Sequence, residues 1–329
     1  MVARRIILSL LMMLGLTRHG RAVDPIPFDK RILAAVITTI AAPPDQPMHM
    51  PTDVAVDSLG RIYVADGAND RILRFTPDRQ LDLVITSLGK QSLKRPVGIS
   101  VDASNQLWIA DTANHRLVVQ KADGTLAHLY APEKVEWADS FEPTDVAVSA
   151  DSRRVYAIDN ANHRVLILDV RTGKWTAMGS QGRALGQFLW PFMVCIGSEK
   201  YVYVTEAIGS RVQLISPNDL WAGEIGQWGV ELGQFYRPKG ITADRDGRIF
   251  VSDSTLGVIQ VFSARGALAG VLTDEQGIPL RFKHSMGMCF DKEGKLYVVE
   301  LAANRVAVVS VAPAPATEKS GNAEKRNER

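Results

Sequence analysis

The phrase PTDVAVDSLGRIYVADGANDRILRF, beginning at Pro51, returns at Pro96, Pro143, Pro191, Pro238 and Ser285, at spacings of 45 to 48 residues. A period of that length describes units too small to bury their own faces, so each must pack against its neighbours. Inside the first unit, Val54 and Val56 flank Ala55, and Asp57-Ser58-Leu59-Gly60 supplies a turn. Arg61 to Ala65 reads as a second strand, Asp66-Gly67-Ala68-Asn69 as a second turn, Arg71 to Phe75 as a third strand and Leu81 to Ile85 as a fourth. Four short antiparallel strands in each of six units predict an all-β chain, a six-bladed β-propeller.

Laid side by side, the units separate what repeats from what departs. Each has an aromatic on its second strand, Tyr63, Trp108, Tyr156, Tyr203, Phe250 and Tyr297, which suits packing between neighbouring blades. A carboxylate follows at Asp66, Asp111, Asp159, Glu206, Asp253 and Glu300. Five residues later comes Arg71, Arg116, Arg164, Arg211 or Arg305, with Val258 as the departure in the fifth unit. Carboxylate and Arg across a tight hairpin pair with each other and satisfy turn amides. Their presence in nearly every unit marks them as scaffold.

The sixth unit has three strands before Pro313 and Pro315 halt the pattern. The missing fourth is expected from residues 32–39, ILAAVITT, which would tie both chain ends into one blade and remove a free sheet edge. Residues 1–22 combine Arg4-Arg5, the apolar run Ile6 to Leu16 and small residues near Ala22, the layout of a secretory signal peptide. The propeller is therefore expected over 23–311 in an exported, periplasmic or extracellular protein. A Pro/Ala-rich and then charged tail, 312–329, is expected to be disordered. Eleven apolar residues are too few for a spanning helix, so no transmembrane span is expected after cleavage. Cleavage would move the formal charge from +2 to −2, without the basic footprint of a nucleic-acid binder. Cys195 and Cys289 share one register position in the fourth and sixth units, where the others hold Ala55, Ser100, Ala147 and Thr242. That equivalence reads as small packing residues, too far apart for a disulfide.

The motifs PTDVAVD…GRIYVAD…NDRILRF at Pro51 and PVGISVD…QLWIAD…NHRLVV at Pro96 resemble NHL repeats, as do the lead-ins GQFLWP and GQFYRP before Pro191 and Pro238. The resemblance spans about residues 32–311 and implies the propeller, with bacterial extracytoplasmic members as the nearest kind. It leaves function open, because this scaffold hosts unrelated activities. More distantly the chain resembles the peptidyl-α-hydroxyglycine amidating lyases, which place zinc-binding histidines just after the opening prolines. Here those positions are Thr52, Val97, Thr144, Phe192, Lys239 and Met286, with no histidine. A catalytic zinc needs three protein ligands. Of six histidines, His49 and His284 lie near unit openings; His115 and His163, at equivalent loop positions, are expected to face solvent. Lactonase-like propellers use a channel metal or a lone acid, and Asp53 and Asp145, each after a Pro-Thr, either face the channel or cap their strand.

Two functions follow. The leading expectation is a non-catalytic module that binds a protein, peptide or polymer partner through the loop face, with no nucleic acid and no cofactor. Its candidate residues are Trp190, Phe192, Met193, Arg237, Lys239 and Met286, where symmetric polar positions turn apolar or basic. The alternative is a metal-assisted lyase or hydrolase at the channel, with calcium or zinc held by Asp53, Asp145, His49 and His284.

Overall fold

A computed structural model describes residues 26–132 and 141–314. The expected signal segment and residues 315–329 of the expected tail lie outside the described residues. Strands dominate, interrupted only by short 3-10 turns, and among the described residues no helix is long and apolar enough to cross a membrane.

The first unit forms Asp53–Val56, Ile62–Asp66, Arg71–Phe75 and Leu81–Ile85, each pairing antiparallel with the next. Four units make separate four-stranded sheets, the other two join in one eight-stranded sheet, and Ser87–Leu88 with Gln91–Ser92 form a small two-stranded ribbon. The organiser of the eight-stranded sheet is the N-terminal strand Arg31–Ile40. Ala34 to Ile40 pair antiparallel with Val306 to Val311 and complete the sixth unit. Arg31 to Leu33 run parallel to Val271–Thr273, the outer strand of the fifth. The expected closing strand is thus present and also bridges two blades. The inner strands, from Asp53–Val56 round to Ser285–Phe290, each lie against the next, and the sixth lies against the first. The amide of Gly287 donates to the carbonyl of Thr52 across that last junction.

What holds the ring is apolar. Tyr63 sits among residues of units one and two, Trp108 between two and three, and Tyr156 between three and four. Tyr203, Phe250 and Tyr297 continue the series, the last joining the sixth unit to the first. All six rings are buried. Burying such a ring contributes roughly 2 kcal/mol, so each blade is stable only with its neighbour present.

Candidate functional site

The repeated carboxylates are bound into the scaffold. Arg71, Arg116, Arg164, Arg211 and Arg305 reach their own unit's acid at 2.6–2.8 Å. In every unit the same acid also accepts an amide proton from the lead-in loop seventeen residues earlier. The donors are His49, Lys94, Glu142, Leu189, Tyr236 and Lys283. The carboxylate therefore pins each lead-in to the hairpin of its blade, a structural task. In the fifth unit, where Val258 replaces Arg, Asp253 takes four amides instead, from Tyr236, Arg237, Thr255 and Leu256.

Near the axis, hydroxyls stitch each blade to the inner strand of the next. Thr52 donates to the Val97 carbonyl at 2.6 Å, Thr144 to Phe192 at 3.0 Å and Thr205 to Lys239 at 2.8 Å. One residue further along, Asp53 and Asp145 project into the ring, each 5% exposed. Asp53 accepts amides from Val54 and, across the interface, Ile99, both at 2.8 Å. Asp145 accepts from Val194 at 2.8 Å. These carboxylates fit because glycine stands beside them. A Cβ on Gly287 would meet Asp53 Oδ1 at 1.8 Å, and one on Gly98 would meet Asp145 Oδ1 at 2.3 Å.

The pair lines one end of an axial cavity of about 270 Å³. Its wall continues through the small residues Ser100, Cys195, Thr242 and Cys289 to Phe290. Burial pushes the Asp53 carboxyl up to about 7 against the two amides that favour its charge. Burial and the neighbouring Asp53 charge raise Asp145 well above the usual range. Both cysteines are free, and burial raises both thiols, so neither is a ready nucleophile.

This geometry sorts the sequence candidates. Asp53 and Asp145 come together at the cavity, whereas His49 and His284 are exposed and absent from its wall. Among the described residues no group of three or more His, Cys, Asp or Glu is placed to hold a metal. The donor set fits zinc poorly: two carboxylates already taking amide protons and no imidazole. Calcium, which takes six to eight oxygens, would need most of them from elsewhere.

Met193 and Met286 are corrected from loop-face residues to core, at 2% and 3% exposure. Met286 packs in the cluster joining the sixth and first units, and Met193 in that of the fourth and fifth. Phe192 reaches between the same two clusters, packing against both. Lys239 lays its ammonium over the Phe192 ring, 4.9 Å from the centroid. Arg237 is exposed. Trp190 is 46% exposed, its amide donating to His163 Nδ1 at 3.1 Å and its ring edge-on to the imidazole. His163, expected at the surface, is therefore buried, tying the third unit's hairpin to the fourth unit's lead-in, and burial lowers its pKa. The left-handed φ of Trp190, 59°, recurs at Met50, Arg95 and His284 just before their openings, so it belongs to the scaffold.

One feature of this face was missed by reading single positions. Leu185, Trp190, Ile208 and Trp228 are all exposed and lie on the lead-ins and hairpin of units four and five. The two lead-ins share the spacing of Gly179, Gly182 and Gly186 with Gly226, Gly229 and Gly233, and form matching bridges, Gln181 to Phe188 and Trp228 to Phe235. That internal repeat was the available signal.

The NHL repeat family matches residues 48–75 and 93–119, so the chain carries NHL repeats. No curated protein matches it. Among solved structures, a gluconolactonase of Xanthomonas campestris is similar at a TM-score of 0.63 and 17% identity, over 90% of this chain and 100% of that one. A virginiamycin B lyase of Staphylococcus aureus, solved with quinupristin, is similar at 0.58 and 16%, over 80% of each chain. An auxiliary nutrient binding protein of Bacteroides thetaiotaomicron is similar at 0.62 and 10%, over 89% and 79%. At such identities the likeness is one of fold, and these neighbours span enzymes and a binding protein.

Proposed function

Starting from a chain that carries NHL repeats on a propeller fold, we propose an exported, non-catalytic binding module that captures a protein or peptide partner on the loop face of units four and five. The observation that carries this is the set of exposed apolar side chains on those loops, Leu185, Trp190, Ile208 and Trp228, with Trp228 56% exposed and its ring 6.4 Å from that of Tyr236. Exposed aromatic surface on rigid loops is the usual material of a contact site, and Trp and Tyr are frequent anchors. The scaffold contributes rigidity: each lead-in is pinned by a buried carboxylate and closed by its own bridge.

The test is capture from an extracytoplasmic fraction by the full chain, its Trp190→Ala/Trp228→Ala variant and Leu59→Ala, which removes an exposed side chain in the first unit's opening hairpin. The double variant is expected to lose at least tenfold of a captured protein while keeping its thermal melt, and Leu59→Ala to lose none. Equal capture by all three would remove the loop-face reading.

The Asp53–Asp145 pair favours a second reading, a lyase or hydrolase working in the axial cavity. A carboxyl raised to about 7 beside a second carboxyl suits proton transfer near neutral pH. Asp53→Asn and Asp145→Asn would each abolish turnover of a lactone or cyclic ester while leaving partner capture intact. Unchanged capture with no turnover by the parent chain across such substrates leaves only the binding reading.

A further inference from the structure

The fifth unit breaks the repeat in one consistent way. It loses the scaffold cation, with Val258 in place of Arg, and Val258 joins a small apolar cluster with Val230, Leu256 and Val271, against which Leu232 and Tyr236 pack. Cations reappear where no other unit has them in this combination: Arg237 just before the opening proline and Lys239 just after it. The five scaffold arginines each have a carboxylate within 2.8 Å. Lys239 is half-buried, and among the described residues its ammonium has no carboxylate within 4 Å and no hydrogen-bond acceptor, only the face of Phe192. Burial, and then the neighbouring Arg237 charge, hold its pKa below the ordinary lysine value. A partly desolvated cation beside a like charge is costly as it stands, and an arriving anion would relieve both terms.

The surroundings agree. The residues immediately before the openings include Lys94-Arg95 and Lys283-His284 besides Arg237, while the lead-ins carry the acids Asp45, Glu142 and Glu231. Five of the six buried repeat carboxylates are paired with their arginines, and Asp253 of the fifth unit is held by four amides. A rim of fixed cations around an apolar surface raises the local concentration of anions.

We propose that Lys239, with Arg237 beside it, is the anion-receiving point of the loop face, taking a carboxylate or phosphate group carried by the peptide or protein partner next to an apolar or aromatic side chain. This rests on the loop-face reading above. The ammonium on Phe192 receives the charge, and the Phe192 ring lies beside the group that bears it.

The test titrates the full chain at low ionic strength with N-acetyl-phenylalanine, its primary amide and phenyl phosphate, followed by calorimetry. At least one anionic probe is expected to bind in the millimolar range and the amide at least tenfold more weakly. A preference between the two anions identifies which group the partner carries. Lys239→Met keeps the aliphatic stem over Phe192 and is expected to weaken the anion at least tenfold. Lys239→Arg restores it to within about threefold, and melts of both variants verify the fold. Binding of the amide as tightly as of the anions, an unaffected Lys239→Met, or no binding of any probe would each overturn the proposal. The two readings fail separately: Trp190→Ala/Trp228→Ala losing partner capture while Lys239→Met keeps it sinks the anion site alone.

Discussion

Deletion of residues 23–40 is expected to abolish a cooperative melt near that of the full chain, lowering Tm by at least about 10 °C. Deletion of 315–329, which removes nothing of the last strand, Arg305–Val311, is expected to shift it by less than about 2 °C. The asymmetry follows from pairing. The strand Arg31–Ile40 occupies the outer position of the sixth blade and holds the outer strand of the fifth, so its loss opens two edges. It also removes Ile40 and Ala34 from the two clusters that close the ring. In a closed array a blade without its neighbour exposes both flanks, so the damage propagates beyond the residues removed. Calorimetry of the two truncations decides it, and equal shifts would mean that the ring does not depend on this strand for closure.

The scaffold was legible in the sequence because it repeats. Six copies of one aromatic, one carboxylate and nearly one Arg announce their own equivalence, and all land as buried rings and pinned lead-ins. Closure was legible from arithmetic, as one unit lacked a strand and one orphan strand lay at the other end. Direction was harder to read. Thr52, Phe192, Lys239 and Met286 hold one register position, yet Phe192 lies across two clusters while Met286 is sealed in one of them. In units two and four to six the pairing shifts between the opening residue and the fourth, so simple alternation does not say which way these side chains point. His163 shows the same limit: it shares a position with His115, but only it meets Trp190, and that contact buries it. The meeting of Asp53 and Asp145 depended on a third party, the glycines at 98 and 287, whose value appears only once neighbouring strands are brought together.

That meeting has a measurable signature: the full chain is expected to lose stability as pH rises from 5 to 8, with Tm falling by more than about 5 °C. A carboxyl whose folded pKa lies above its unfolded 3.8 stabilises the fold fully below that value, and the contribution disappears as pH climbs through the folded value, about 7 for Asp53. Asp145 acts with the same sign, since ionising the second acid means placing like charges together in a buried site. Other shifted groups do not produce such a fall. His163 and Lys239 are both lowered by burial, so each contributes stability that grows with pH. The raised tyrosines and cysteines begin from 10.0 and 9.0, above the window. Asp53→Asn/Asp145→Asn is therefore expected to flatten or invert the slope whatever its absolute Tm, because the amides cannot ionise. An unchanged slope in that variant would mean the two acids reach solvent and titrate normally, and would remove with it the physical basis for proton chemistry in the axial cavity.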